Sequence, residues 1–199
     1  MSKVYFVTSN TGKVKNAQDA LGRFGIEVEQ IAMDLIESRS EDPAQIALEK
    51  AQQAYRQLKR PVIVEDSGFF IKALGGFPMT HIKFSLNTIG LDGVLRALRG
   101  VKDRRGEWRM TLAFVYGENK YKQFTFVEKG TLVKTPRRAK RKLMSEYWRV
   151  FISDMEPKTG KTLSELTGSD LKRWLNYYAS HNQFAQFGRW FTEYGIDLF

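Results

Sequence analysis

Two short stretches of this chain carry residue types that can handle phosphate and a hard cation. The first is Thr8-Ser9-Asn10-Thr11-Gly12-Lys13, which follows the run Val4-Tyr5-Phe6-Val7. Four apolar or aromatic residues read as a short buried strand, and the small polar residues behind them are turn chemistry. Val14, Ala17, Leu21 and Phe24 then recur at helical spacing. A strand that turns straight into a helix aims backbone N–H groups and a helix N-terminus at one spot, which favours an anion, phosphate above all. Lys13, in the first helical turn, can reach the same anion. The two-glycine spacing of a Walker loop is absent, and a plain connecting turn explains the same residues.

The second stretch is Glu65-Asp66-Ser67-Gly68, directly after Pro61-Val62-Ile63-Val64. Two acids at the carboxyl end of a buried strand stand where open α/β sheets place their ligands. They suit Mg2+, which takes carboxylate oxygen and water, and one of them could orient or deprotonate an attacking water. The same four residues also make an ordinary turn or helix cap. Glu37 is a further candidate metal ligand on the loop before the next helix, and Lys50 lies inside that helix. Taken singly, each is also what a solvated surface carries.

The elements that must position these residues alternate strand and helix through the first half. Ile26 to Ile31 alternates as a second strand. Asp42-Pro43 is an N-cap with proline at the first helical position, and Ile46, Ala47, Ala54 and Leu58 give the helix behind it a core face. Leu91, Val94, Leu95 and Leu98 mark a helix closed by Gly100. The period then changes to two: Trp108 to Tyr116, a turn at 117–120 and Tyr121 to Val127 read as a β-hairpin, with a further strand at Gly130 to Val133. The tail returns to helix, with Leu171, Trp174, Leu175 and Tyr178 on one face, followed by Phe184, Phe187, Trp190 and Phe191 as core or dimer surface. The expectation is a single α/β domain over 1–199 with a hairpin-rich section able to form a second lobe.

Composition narrows the setting. With 42% hydrophobic and 27% charged residues, the chain has ordinary globular content and enough length for a full core. No run of about 18 apolar residues and no signal peptide is present, so neither membrane nor export is expected. The absence of cysteine removes disulfides, thiolate metal sites and cysteine nucleophiles, and a cytoplasmic setting is the expectation. The net charge of +10 attracts polyanions, nucleic acid or triphosphates, or serves solubility. Lys134, Arg137, Arg138, Lys140, Arg141 and Lys142 place six of the cations in nine residues.

Taken together, the motifs resemble a known family. Val7-Thr8-Ser9-Asn10-Thr11-Gly12-Lys13-Val14, Asp34-Leu35-Ile36-Glu37, the helix from Asp42 through Lys50-Ala51, Val64-Glu65-Asp66-Ser67-Gly68, Ala73-Leu74-Gly75-Gly76-Phe77-Pro78 and Ile89-Gly90-Leu91-Asp92-Gly93 match the inosine triphosphate pyrophosphatase (Ham1-like) family in order and spacing. The resemblance implies a two-lobed α/β fold, a central mixed sheet flanked by helices with the active-site cleft between the lobes, and a homodimer. It implies Mg2+-dependent cleavage of non-standard purine nucleoside triphosphates to monophosphate and pyrophosphate. Carried over by position, Ser9, Asn10 and Lys13 would hold the triphosphate, Lys50 would be a phosphate contact, and Thr8, Ser67 and Gly68 would join in binding the substrate. Glu37 and Asp66 would serve the metal, with Asp66 the general base and Lys13 its catalytic companion.

The last third departs from the family's pattern. Where the family carries Phe-Gly-Tyr/Trp-Asp-Pro for the base, this chain has Glu146-Tyr147-Trp148-Arg149-Val150. Tyr147 or Trp148 remains as a stacking group, while the aspartate and proline are replaced. Near the end Ser180-His181 is kept, and the flanking cations of the family motif become Asn176 and Asn182. His181 and Ser180 are expected to contact the base. These losses fall on base recognition, so the expectation is a pyrophosphatase with base or sugar preference shifted from inosine and xanthosine triphosphates. The alternative is a non-catalytic nucleotide- or nucleic-acid-binding protein. The basic run at 134–142 is expected to line the substrate cleft, with nucleic acid the less favoured partner.

Overall fold

The strand-turn-helix that opens the chain is present as read. In the computed structural model, which describes residues 2–195 with residue 156 excepted, β1 (Ser2–Val7) leads through three residues into α1 (Thr11–Leu21). β2 (Ile26–Ile31) returns parallel to β1. α2 (Pro43–Leu58) begins at an Asp42 cap whose carboxylate accepts the Ala44 N–H at 2.9 Å, and Pro43 supplies the preset first turn. β3 (Val62–Ile71) then pairs parallel with β1 on its other edge. Parallel neighbours need a crossover connection, and both connections here are helical.

The remaining elements are β4 (Pro78–Met79), α3 (Ile82–Thr88), α4 (Gly90–Ala97), β5 (Arg105–Gly117), β6 (Lys120–Leu132), β7 (Phe151–Ser153), α5 (Gly168–His181) and α6 (Gln183–Tyr194). Among the described residues the strands run in the order β2-β1-β3-β5-β6-β7, with β4 antiparallel to β3 off this path. The sheet is mixed, as expected. The chain divides into two compact units: residues 1–67, 110–126 and 179–199 form unit 1, and residues 68–109 and 127–178 form unit 2.

In unit 1 the alternation of β1 sorts its side chains onto two faces. Val4 and Phe6 join Val14, Ala17 and Leu21 of α1 and Phe184, Phe187 and Phe191 of α6 in one core cluster. Tyr5 and Val7 face the other way, where Ala47, Ala51 and Ala54 of α2 let that helix lie close on Val62 and Val64 of β3. The aromatic face of the tail is therefore core. Truncating Phe187, which is fully buried, would cost about 3–5 kcal/mol.

Three sequence expectations change. β3 does not stop at Glu65-Asp66-Ser67-Gly68 but runs through it to Ile71. Gly68 makes this possible: a Cβ there would meet Phe70 Cε2 at 2.7 Å and the Met79 carbonyl oxygen at 3.0 Å. Without one, Phe69 and Ile71 reach full burial in unit 2. The separate strand expected at Gly130 to Val133 is the end of β6, which pairs antiparallel with β7 at Gly130 and Ser153. On α5, Trp174 alone is buried, and Leu175 of the expected apolar face is 47% exposed. No helix among the described residues is long and apolar enough to cross a membrane.

Candidate active site

The order β2-β1-β3 reverses direction at β1, and open α/β sheets hold ligands at the carboxyl ends of strands at such a reversal. Thr8 to Lys13 leave the end of β1, and in unit 1 β3 delivers Glu65 and Asp66. Asn10 is the cap of α1: its Oδ1 accepts the N–H groups of Gly12 at 2.9 Å and Lys13 at 3.1 Å, and its own N–H donates to Thr8 Oγ1 at 3.1 Å. The cap fixes the turn and satisfies the N–H groups of Gly12 and Lys13 from within the chain. Ser9 is exposed beside it.

Two lysines and three carboxylates form the centre of the site. Lys13 Nζ lies 2.7 Å from Glu65 Oε2 and donates to the Glu65 carbonyl oxygen at 3.1 Å. Burial alone would lower the Lys13 ammonium's affinity for its proton, but Glu65 and then Asp66 outweigh it and raise it above the usual lysine range. Burial pushes the Glu65 carboxyl up, with Lys13 pulling the other way. Lys50, reaching from α2, pairs with Glu37 and lies 3.2 Å from Asp66 Oδ2. Asp66 Oδ1 accepts the Ser67 N–H at 2.8 Å, which fixes the carboxylate's orientation.

The loop that carries Glu37 is held by a residue the sequence did not single out. Gln53 accepts the Ile36 N–H at 3.0 Å and donates to the Ile36 carbonyl at 2.8 Å, clamping the residue before Glu37 from both sides. Gln53 stands three positions after Lys50 on α2, so helical spacing alone places the two side by side. A second such residue is Gln183, almost fully buried, whose Nε2 reaches Glu65 Oε1 at 3.4 Å. Nothing local flags it: Glu65 and Gln183 are 118 positions apart. Glu65 is half of the acid pair that by sequence suits a metal. Its place is beneath Lys13, 7% exposed, as the buried anchor of that ammonium.

Ser180 and His181 sit exposed at the corner between α5 and α6, with Ser180 Oγ 3.1 Å from His181 Nδ1. Asn182 caps α6 through the Ala185 N–H at 2.9 Å, and Gln183 follows directly. The corner is thus tied by its next residues to Glu65.

The unit 2 candidates separate. Tyr147 is fully buried against Phe69, with its hydroxyl 2.9 Å from Ser85 Oγ, so it has no face for a base to stack on. Burial raises its phenol above the ordinary range. Trp148 is only half-buried, lies edge-on to Trp174, and carries the Arg141 guanidinium 4.9 Å above its ring. Gly68 earns its place by the close approach of Met79. In the basic run, Arg137 pairs with Glu165 at 3.5 Å and Arg141 donates to the Leu163 carbonyl at 3.1 Å, while Arg138, Lys140 and Lys142 are exposed.

Among the described residues no group of three or more His, Cys, Asp or Glu side chains is arranged to hold a metal ion. Glu37 and Asp66 do converge on the one Lys50 ammonium. Mg2+ is commonly held by one or two carboxylates, with water and substrate phosphate filling the other positions. This donor set fits such an ion.

The fold, with its capped strand-turn-helix and its paired acids and lysines at the strand ends, defines a class of α/β protein, and that class has a family. The chain belongs to the Ham1 family, whose model matches residues 4–186. It is 38% identical over 135 residues to a dITP/XTP pyrophosphatase of Methanopyrus kandleri, covering 68% of this chain and 72% of the relative. It is 32% identical over 191 residues to a dITP/XTP pyrophosphatase of Saccharolobus solfataricus, covering 96% of both. Among solved structures, a HAM1 protein from Coxiella burnetii superposes with a TM-score of 0.77 at 20% identity, over 99% of this chain and 100% of that one.

Proposed function

We propose that this chain is a nucleoside triphosphate pyrophosphohydrolase that releases nucleoside monophosphate and pyrophosphate, as the names of its dITP/XTP pyrophosphatase relatives suggest. The observation that carries the reading is the Lys13–Glu65 and Lys50–Glu37–Asp66 network beside the Asn10-capped turn. In this reading the ammonium groups of Lys13 and Lys50 bind the triphosphate beside the α1 N-terminus, whose Gly12 and Lys13 N–H groups the Asn10 cap occupies. Asp66, held by the Ser67 N–H, accepts a proton from the water that attacks the anhydride linkage. Mg2+, held through Glu37 and Asp66, would supply charge neutralisation on the phosphate oxygens. Such electrostatic positioning does most of the work in phosphoryl transfer.

Base preference is the second part of the proposal. Ser180 and His181, exposed at the α5–α6 corner of unit 1, are the polar contacts. The family's aspartate and late cations have no counterparts here. Losing hydrogen-bonding partners for a base shifts discrimination by orders of magnitude. Inosine and xanthosine triphosphates are therefore expected not to be the best substrates. The chain works as a homodimer in the cytoplasm. A broad triphosphate panel, modified pyrimidines included, assayed with and without Mg2+ for pyrophosphate against orthophosphate, tests this. Highest kcat/KM for either 6-oxopurine triphosphate overturns the selectivity, and no turnover of any member leaves a nucleotide-binding protein.

A further inference from the structure

Unit 2 contains a cavity of about 830 Å³ between α4 with its following loop and the start of the basic segment. Arg96, Arg99, Lys102 and Lys134 line it, against one carboxylate, Asp92. All four cations are exposed, and among the described residues none of them is in an ion pair. Like charges around one hollow repel one another, and a concave wall concentrates their field.

The hollow is built rather than incidental, because a fifth cation ties its sides together. Arg104 donates to the carbonyl oxygens of Leu98 at 3.1 Å, Leu132 at 2.7 Å and Val133 at 2.9 Å. Those carbonyls lie at the end of α4 on one side and immediately before Lys134 on the other. A Leu132 N–H to Arg104 carbonyl bond at 2.9 Å closes the same link. Arg104 thus fixes the separation of the two cationic walls and takes no anion itself. Between the cations Leu95, Val101 and Pro136 give apolar surface. The volume lies in the range of about 300–1,000 Å³ typical of small-molecule pockets. Nucleic acid would call for cations spread along a track, not converging on one hollow.

We propose that this cavity is a binding site for a compact polyphosphate, separate from the Lys13–Glu37–Lys50–Asp66 network. The shared chemistry is a short chain of phosphates, whether inorganic or the tail of a nucleotide. Arg96, Arg99 and Lys134 make the direct contacts, and Leu95 and Val101 accept any less polar part of the ligand. The site does not require the catalytic reading above, since it shares no residue with that network.

The test uses the full-length protein without added Mg2+ and follows hydrogen exchange and calorimetric binding. The probes are inorganic tripolyphosphate, an α,β-methylene nucleoside triphosphate and a ten-nucleotide oligothymidine. Tripolyphosphate is expected to slow exchange in residues 92–104 and 134–136. In the Arg96→Gln, Arg99→Gln, Lys134→Gln protein, that protection should disappear and the corresponding affinity fall by roughly tenfold or more, since charge-assisted contacts are lost. The residues are exposed, and a charge-keeping Arg96→Lys, Arg99→Lys partner should retain binding. Protection by the methylene analogue that is stronger than by tripolyphosphate identifies a nucleotide as the source; weaker protection identifies inorganic polyphosphate. Absence of protection in the parent protein overturns the proposal, as does protection that survives neutralisation. So does protection by the oligonucleotide alone, and so does a triphosphate KM that rises together with the loss of protection.

Discussion

The two units handle charge in opposite ways at their most charged points. In unit 1 each lysine of the network has a carboxylate within ion-pair distance, and side-chain and backbone hydrogen bonds hold Asp66 and the residue before Glu37 in place. In unit 2 Arg96, Arg99, Lys102 and Lys134 face a hollow with a single acid among them. A paired network fixes geometry before a ligand arrives, which is what proton transfer at a defined atom needs. An unpaired cluster leaves charge to be satisfied by the ligand itself. On the two proposals above, the same residue types prepare chemistry in one unit and capture in the other.

The most severe way to break this contrast is Asp66→Asn. The amide oxygen can still accept the Ser67 N–H, so the melting temperature should hold, while pyrophosphate release should fall about 10²-fold or more as a general base is lost. A variant that keeps parental kcat would show that unit 1's pairing serves stability and not reaction.

Unit 2 offers a buried charge of its own to sharpen the comparison. Burial pushes Glu128 up to about 7, against which hydrogen bonds from Ser153 and from the Trp174 indole N–H, the latter at 3.0 Å, act only in part. Its folded value lies above the unfolded one of 4.5. The folded state therefore holds the proton more tightly, and this contribution to stability is complete below pH 4.5 and lost as pH rises through 7. The change amounts to about 3 kcal/mol. Glu128→Gln should flatten that fall, read by urea unfolding across pH 4.5 to 8. It should also remove a tryptophan fluorescence transition near neutral pH, and an unchanged profile would show that Glu128 is ionised throughout.

The gentlest test acts through position alone. Gln53→Ala releases the clamp on Ile36 without touching Glu37, and kcat/KM should fall roughly tenfold as a positioned group gains freedom. The loss should appear chiefly as weaker apparent Mg2+ affinity, recovered at high metal. A loss that metal cannot recover would place Gln53 in ordinary helix packing.

Unit 1 was the more legible unit, and the reason is local. A strand, a capped turn and an amphipathic helix state themselves within the first 24 residues, and Asp42-Pro43 announces α2 in the same way. What was hidden depends on distant neighbours. Tyr147 resembles a stacking residue until Ser85, 62 positions earlier, takes its hydroxyl. β3 reads as finished at an acidic turn, whereas Met79 needs the space at Gly68. Gln183 is a polar residue in an aromatic helix until Glu65 is set beside it.

Glu65, Asp66 and Gly68 look alike as a motif, yet they should part company in a saturation scan that scores cellular abundance and turnover separately. Substitutions at Gly68 should deplete the protein, because any side chain must displace Phe70 or the Met79 carbonyl. Those at Glu65 should do the same by leaving the Lys13 ammonium without its buried partner. Asp66 alone of the three should yield plentiful, folded and idle protein, so intolerance along this strand divides into two phenotypes with different causes.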